Sequence, residues 1–158
     1  MRIKKNYSRT IEPDQKFNSL LVAKLINRSM IGGKKNIAAK QVYQALDVVA
    51  KQTKKTQVQV MEELVEVVAP KMEVRSRRVG GASYQVPMPV KAHRASSLAV
   101  RWLVIEANKR PNAKYHSFGE KLAAEMMDAF NQEGGAIAKR NNAHKMADAN
   151  KAFAHFRW

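Results

Sequence analysis

Met72-Glu73-Val74-Arg75-Ser76-Arg77-Arg78-Val79-Gly80-Gly81-Ala82-Ser83-Tyr84-Gln85-Val86-Pro87-Met88-Pro89-Val90 changes the rhythm of the chain. Over 72–78, Met72, Val74 and Ser76 alternate with Glu73, Arg75 and Arg77. Over 84–90, Tyr84, Val86, Met88 and Val90 alternate with Gln85, Pro87 and Pro89. A period of two marks strands, and Gly80-Gly81 between the runs provides the turn of a β-hairpin. Pro87 and Pro89 point their missing N–H groups to one side, so no third strand can add at that edge. A lone two-stranded ribbon is marginal in water, so it must lean on the rest of the chain or on a partner.

On either side of the ribbon the period is helical. Phe17, Leu20, Leu21 and Leu25 predict a first helix, with Asp14 or Ser19 as cap and Gly32-Gly33 as its stop. Ala38, Val42, Ala45, Leu46 and Val49 stripe a second. Thr56 and Gln59 have capping-box spacing and open a third, which buries Val60, Met61, Leu64 and Val68 and ends at Pro70. Beyond the ribbon, Leu98, Trp102, Leu103 and Ile105 predict a helix ending at Pro111. Ser117 and Glu120 open another, with Phe118, Leu122, Met126 and Phe130, stopped by Gly134-Gly135. An alanine-rich helix from about 136 leads to a tail past Asn150. There the spacing of Phe153, Phe156 and Trp158 fits no α-helical stripe, so the tail is expected to be partly extended and its aromatics exposed. The expected fold is mainly α: about six helices, with a protruding two-stranded ribbon (72–90) between the third and fourth. One domain spans 1–158, with a basic N-terminal arm (1–16) and a C-terminal tail (150–158).

With 158 residues, 29 Lys plus Arg and 13 Asp plus Glu, the chain carries a formal net charge of +16. Hydrophobic residues make up 45%, enough for a folded protein, so the surplus charge points to a polyanionic partner. The charge is uneven. Residues 57–69 hold Glu62, Glu63 and Glu66 and no base, and 111–135 hold Glu120, Glu125, Asp128 and Glu133 against Lys114 and Lys121. Acidic faces turned away from a basic side are expected.

No cysteine is present, which excludes disulfides, thiolate metal sites and cysteine nucleophiles. The four histidines, His93, His116, His144 and His155, are scattered without ligand spacing, and Glu62 and Glu66 sit where no base accompanies them. No enzyme, metal or cofactor is expected. No apolar run approaches the ~18 residues of a membrane span, so no membrane partner is expected either. Gly32-Gly33-Lys34-Lys35 lacks the spacing of a nucleotide-hydrolysing loop, but two lysines at a helix start can hold one backbone phosphate. Arg75, Arg77 and Arg78 on a narrow ribbon can fork onto phosphates or stack on bases, and Gly80 and Gly81 allow the tip a close approach. Arg94 and Arg101 share one helix face; Arg140, His144 and Lys151 line another. Several basic surfaces suit wrapping by folded RNA better than lying in one duplex groove. An architectural DNA-binding protein is the first rival reading, disfavoured because Pro87 and Pro89 lie well back from the tip where a wedge would be needed. An RNA-processing nuclease is the second, disfavoured by the missing acid or histidine constellation.

Glu73-Val74-Arg75-Ser76-Arg77-Arg78-Val79-Gly80-Gly81 with Tyr84-Gln85-Val86-Pro87 resembles the ribbon of the small-subunit ribosomal protein seven family, bacterial type. Leu98-Ala99-Val100-Arg101-Trp102-Leu103 resembles its next helix, and His144 to Trp158 its C-terminus. Asn27, Met30 and Gly33-Lys34-Lys35 fit its first helix and turn. The resemblance covers essentially the whole chain. It implies primary binding to small-subunit rRNA, nucleation of the subunit head, and a ribbon near the messenger exit and the E-site tRNA. It also implies small-subunit proteins nine and eleven as neighbours, a place in the cytoplasmic ribosome, and no homo-oligomer. The rRNA-contact candidates are Arg2, Lys4, Lys5, Arg9, Lys34, Lys35, Arg75, Arg94, Arg101, Lys109, Arg110, Lys139, Arg140, Lys145 and Lys151. The tip facing tRNA and mRNA is Arg77, Arg78, Val79, Gly80 and Gly81. Phe153, His155, Phe156, Arg157 and Trp158 are candidates for base stacking or contact with a neighbouring protein.

Overall fold

A computed structural model describes residues 10–156. Three helices, α1 (Leu20–Ser29), α2 (Lys35–Thr53) and α3 (Gln57–Val68), precede an antiparallel hairpin of β1 (Met72–Val79) and β2 (Ala82–Pro89). Then come α4 (Ala92–Lys109), α5 (Phe118–Phe130), α6 (Gly134–Ala149) and a terminal 3₁₀ helix (Lys151–Phe156).

The second and third helices form as their sequences dictate. Ala38, Val42, Ala45, Leu46 and Val49 of α2 all lie in the core, as do Val60, Met61, Leu64 and Val68 of α3. Thr56 accepts the Gln59 N–H while the Gln59 side chain accepts the Thr56 N–H, which satisfies two of the donors a helix start leaves open. The six α-helices share one cluster of buried side chains, with Leu25, Leu46, Met61, Leu64, Leu103, Leu122 and Met126 at its centre. Each is worth roughly 1.5–3 kcal/mol in burial, so truncating one, as in Leu64→Ala, costs about 2–5 kcal/mol.

The hairpin turns at the expected Gly80-Gly81, and its register places Val79 opposite Ala82 and Met72 opposite Pro89. Gly80 and Gly81 have φ of 57° and 90°, left-handed values that side chains resist and a two-residue hairpin turn requires. Pro87 pairs with Val74 and Pro89 with Met72. Residues two apart share one hydrogen-bonding side, so both prolines fit the ladder by facing its outer edge.

Four expectations are corrected. Helix α1 stops at Ser29, before the glycines, because Met30 turns to an extended backbone; Gly32 and Gly33 shape the following turn. Its buried stripe is Val22, Ala23, Leu25 and Ile26, whereas Leu20 is exposed. On α4 the buried face is rotated to Ala99, Val100, Leu103, Val104 and Ala107, with Trp102 packed at its margin. The small residues there let neighbouring helices approach, so side-chain bulk misled the reading of the stripe. Gly134-Gly135 opens α6 and does not stop α5, which ends at Phe130. Gly134 has φ of 88°, and a Cβ there would meet the Asp128 side chain and Glu125 Oε1 at 3.1 Å.

The fourth correction is the tail. Residues 151–156 are a 3₁₀ helix, not an extended strand. Its three-residue turn eclipses positions i and i+3, so Phe153 and Phe156 lie side by side with near-parallel rings 6.5 Å apart. Both rest on Tyr84 of β2, at 5.3 and 5.2 Å between centroids. The ribbon thus leans on its own C-terminus as well as on α6, where the Lys71 N–H donates to His144 Nε2 at 3.0 Å.

Candidate nucleic-acid interface

The basic side chains divide by what they touch. At the root of the ribbon, Glu73 is buried and accepts from two arginines: Arg75 Nε at 2.7 Å on one oxygen and Arg94 Nε at 2.6 Å on the other. Burial raises the pKa of this carboxyl, but the hydrogen bonds from Arg94 and Arg75 outweigh it and hold the group below its ordinary value.

A second set closes the junction of α4, α5 and α6. Lys109 and Lys139 both reach Glu106 Oε1, at 2.9 and 3.1 Å. Burial works against the ionised Glu106, and the two ammonium groups again lower its pKa on balance. Arg110 donates to Glu125 from Nε and a terminal nitrogen, at 2.9 and 2.7 Å, and to Asp128. These carboxylates raise the Arg110 pKa despite its desolvation. The other oxygen of Glu125, which is 2% exposed, accepts the Ala136 N–H that opens α6. Arg140 donates to the Val67 carbonyl at 2.6 Å, capping the end of α3. Of the acids of 111–135, Glu125 and Asp128 are therefore structural partners of Arg110, whereas Glu120 and Glu133 are exposed.

What remains is a basic surface around α1, the start of α2 and α4. Lys24, Asn27 and Arg28 of α1 line a groove of ≈ 310 Å³ with His93, Ser97, Val100 and Arg101 of α4 and Ile11. Among the described residues no carboxylate pairs with Lys24, Arg28 or Arg101. Asn27 and Ile11 also border the next concavity, where Lys35 and Asn36 begin α2. Lys34 and Lys35 are exposed, as is Ile31 beside them. Tyr43 anchors this side: its hydroxyl donates to Asp14 at 2.6 Å, and burial followed by that acceptor pushes its pKa up to about 12. Asp14 also caps the turn before α1 by accepting the Lys16 and Phe17 N–H groups.

At the far end of the ribbon, Arg78, Gly80 and Gly81 are exposed, with Arg77 and Val79 half-exposed. Arg77 lies opposite Tyr84 and so shares the face of the Tyr84–Phe153–Phe156 cluster, while Arg78 lies opposite Ser83. Lys145 and Lys151 are exposed on α6 and the terminal helix, and His155 is exposed with Nδ1 2.9 Å from the Ala152 carbonyl. Arg2, Lys4, Lys5, Arg9, Arg157 and Trp158 lie outside the described residues.

The structure thus brings Lys34, Lys35 and Arg101 to one side and gives Arg75, Arg94, Lys109, Arg110, Lys139 and Arg140 internal partners. Sequence reasoning missed Lys24, Arg28 and His93 as groove residues. The spacing of Lys24 and Arg28, one turn apart on α1, was the available signal. Among the described residues no group of three His, Asp or Glu side chains is placed to hold a metal ion, and no helix is long and apolar enough to cross a membrane.

The pattern of the whole chain decides its kinship. Residues 1–151 match the family described as ribosomal protein S7p/S5e. The chain belongs to this family. It is 53% identical over 150 residues to the small ribosomal subunit protein uS7 of Dictyoglomus turgidum, covering 95% of this chain and 94% of that one. It is 48% identical to the uS7 of Thermosipho melanesiensis over 158 residues, the full length of both. The uS7 of Colwellia psychrerythraea is 50% identical over 150 residues, again 95% and 94% of the two chains. As an S7p/S5e family member the chain is a structural, non-enzymatic component of the cytoplasmic ribosome. Its fold, mainly helical with one hairpin between the third and fourth helices, is the one the resemblance implied.

Proposed function

We propose that the chain binds small-subunit rRNA directly and early, nucleating the head of the subunit, with the groove between α1 and α4 and the start of α2 as its main phosphate-binding surface. The observation that carries this reading is the sorting of charge. Carboxylates occupy Lys109, Arg110 and Lys139 at the helix junctions, whereas among the described residues Lys24, Arg28, Arg101, Lys34 and Lys35 have no carboxylate partner and lie on neighbouring elements. A set of unneutralised cations across three helices fits a folded RNA backbone. The ribbon tip, Arg77 to Gly81, projects away from the helical core and is the part proposed to reach the E-site tRNA and the messenger. Proteins nine and eleven of the small subunit are the proposed protein neighbours, with the face of the terminal 3₁₀ helix as one contact. The basic arm, including Arg2, Lys4, Lys5 and Arg9, is proposed to add rRNA contacts.

Binding of a folded rRNA head fragment, compared with duplex DNA across a salt series, tests this. With about eight phosphates neutralised, log-affinity for the rRNA falls with log-salt at a slope near −6 to −7, and the rRNA is preferred at every salt concentration. A slope shallower than about −2, or equal affinity for the duplex, refutes it.

A further inference from the structure

Two guanidiniums share one carboxylate at the root of the ribbon. Arg94 spends only its Nε on Glu73, and Arg75 its Nε and one terminal nitrogen. A guanidinium carries five N–H donors in a rigid fork, so most of the donors of both remain. Among the described residues nothing else takes them. The Arg75 and Arg94 side chains are 52% and 51% exposed, against 11% for Glu73. The carboxylate therefore lies beneath, and the unused donors face solvent.

We propose that Glu73 is a positioning residue that holds Arg75 and Arg94 together as a seat for one phosphodiester group of RNA. Guanidinium matches phosphate through paired, charge-assisted hydrogen bonds, and two of them fixed on one anchor meet it already ordered. Arg75 belongs to β1 and Arg94 to α4, so an RNA phosphate held by both also ties the ribbon to the helical core. Two cations over one anion leave the seat net positive. This assignment rests on the RNA-binding reading above and adds a sign to it. Coulomb's law alone makes Glu73 a liability to RNA binding, whereas positioning makes it an asset.

The test is the affinity for a folded rRNA head fragment of the full chain and of Glu73→Gln, Arg94→Lys and the double variant, across a salt series. Circular dichroism and hydrogen exchange of the ribbon accompany it. Glu73→Gln is expected to bind about five- to tenfold more weakly despite losing a negative charge, with the salt slope shallower by ~0.7–0.9, one phosphate contact. Arg94→Lys keeps its charge but loses the fork and is expected to fall similarly. The double variant is expected to lose clearly less than the sum of the two single losses, because both substitutions disturb the same two-guanidinium seat. Binding by Glu73→Gln as tight as that of the parent chain or tighter, or additive losses, overturns the seat while a steep slope in the parent leaves the RNA-binding reading standing. If Glu73→Gln melts the ribbon, Arg94→Lys decides alone, and unchanged affinity refutes the seat. A parent chain with no preference for the rRNA over duplex DNA sinks both.

Discussion

Replacing Tyr84 by alanine removes the platform on which the C-terminus rests. The Tyr84 ring meets Phe153 at 5.3 Å and Phe156 at 5.2 Å, and each aromatic pair is worth about 0.5–1.5 kcal/mol beyond its area burial. Losing both weakens docking of the terminal 3₁₀ helix by about 1–3 kcal/mol, or roughly five- to 150-fold in its equilibrium. None of the three rings belongs to the helical core, so the loss stays local and the midpoint of thermal unfolding is expected to move by less than about 2 °C. Hydrogen exchange read by mass spectrometry separates these effects. Amides of 151–156 are expected to lose protection by that factor in Tyr84→Ala, while those of α2 and α3 keep theirs. Deleting 151–158 in the Tyr84→Ala background is then expected to add nothing to the exposure of β2. Unchanged protection of 151–156 in Tyr84→Ala would refute the clasp.

Three further outcomes follow from the same geometry. Arg77→Ala with Arg78→Ala is expected to leave the circular dichroism spectrum and head assembly near normal but to alter tRNA retention in the E site. An unfolded double variant would make the tip structural. Glu125→Ala leaves the buried Ala136 N–H without its acceptor and Arg110 with Asp128 as its remaining carboxylate, so urea denaturation is expected to show a loss of about 1–3 kcal/mol. The carboxyls of Glu73 and Glu106 sit below their ordinary 4.5 in the folded protein. The stability they contribute is complete above that pH and is lost as pH falls through the lowered values. Melting temperatures from pH 7 to 3 are expected to drop below about pH 4.5, and less steeply in a Glu73→Gln, Glu106→Gln variant, which starts lower at pH 7.

Much of the architecture was legible because its signals are local. The ribbon shows a two-residue period around two glycines, and α3 shows a capping box, a 3.6 period and a proline stop, so propensity, pattern and turn chemistry agree. The stripes of α1 and α4 were misread where large apolar residues such as Leu20 and Trp102 flank a face of smaller ones, and burial follows helix contact, not bulk. The tail was misread because only the α-helical period was applied to Phe153 and Phe156, whereas a 3₁₀ turn aligns them. Ion pairing was the least legible layer. Glu106 and Lys139 are distant in sequence, as are Glu73 and Arg94; the packing of α4 against α6 brings the first pair together, and the reach of the Arg94 side chain from the start of α4 to the root of the ribbon makes the second. A count of charges therefore located the polyanion partner but not the cations left free to meet it.

On the proposed reading, position and not net charge selects the RNA-binding cations. Two variants that each remove three positive charges separate the two: Lys24→Gln, Arg28→Gln, Arg101→Gln in the groove, against Lys51→Gln, Lys114→Gln, Lys121→Gln on α2, the loop before α5 and α5 itself. Affinity for the folded rRNA head fragment is to be measured for both at several salt concentrations. The groove variant is expected to bind at least about thirtyfold more weakly, with the log-salt slope shallower by about 2–3, while the other stays within about threefold of the parent chain. Equal losses in the two variants would mean that RNA senses only the total charge, and would contradict the assignment of the groove.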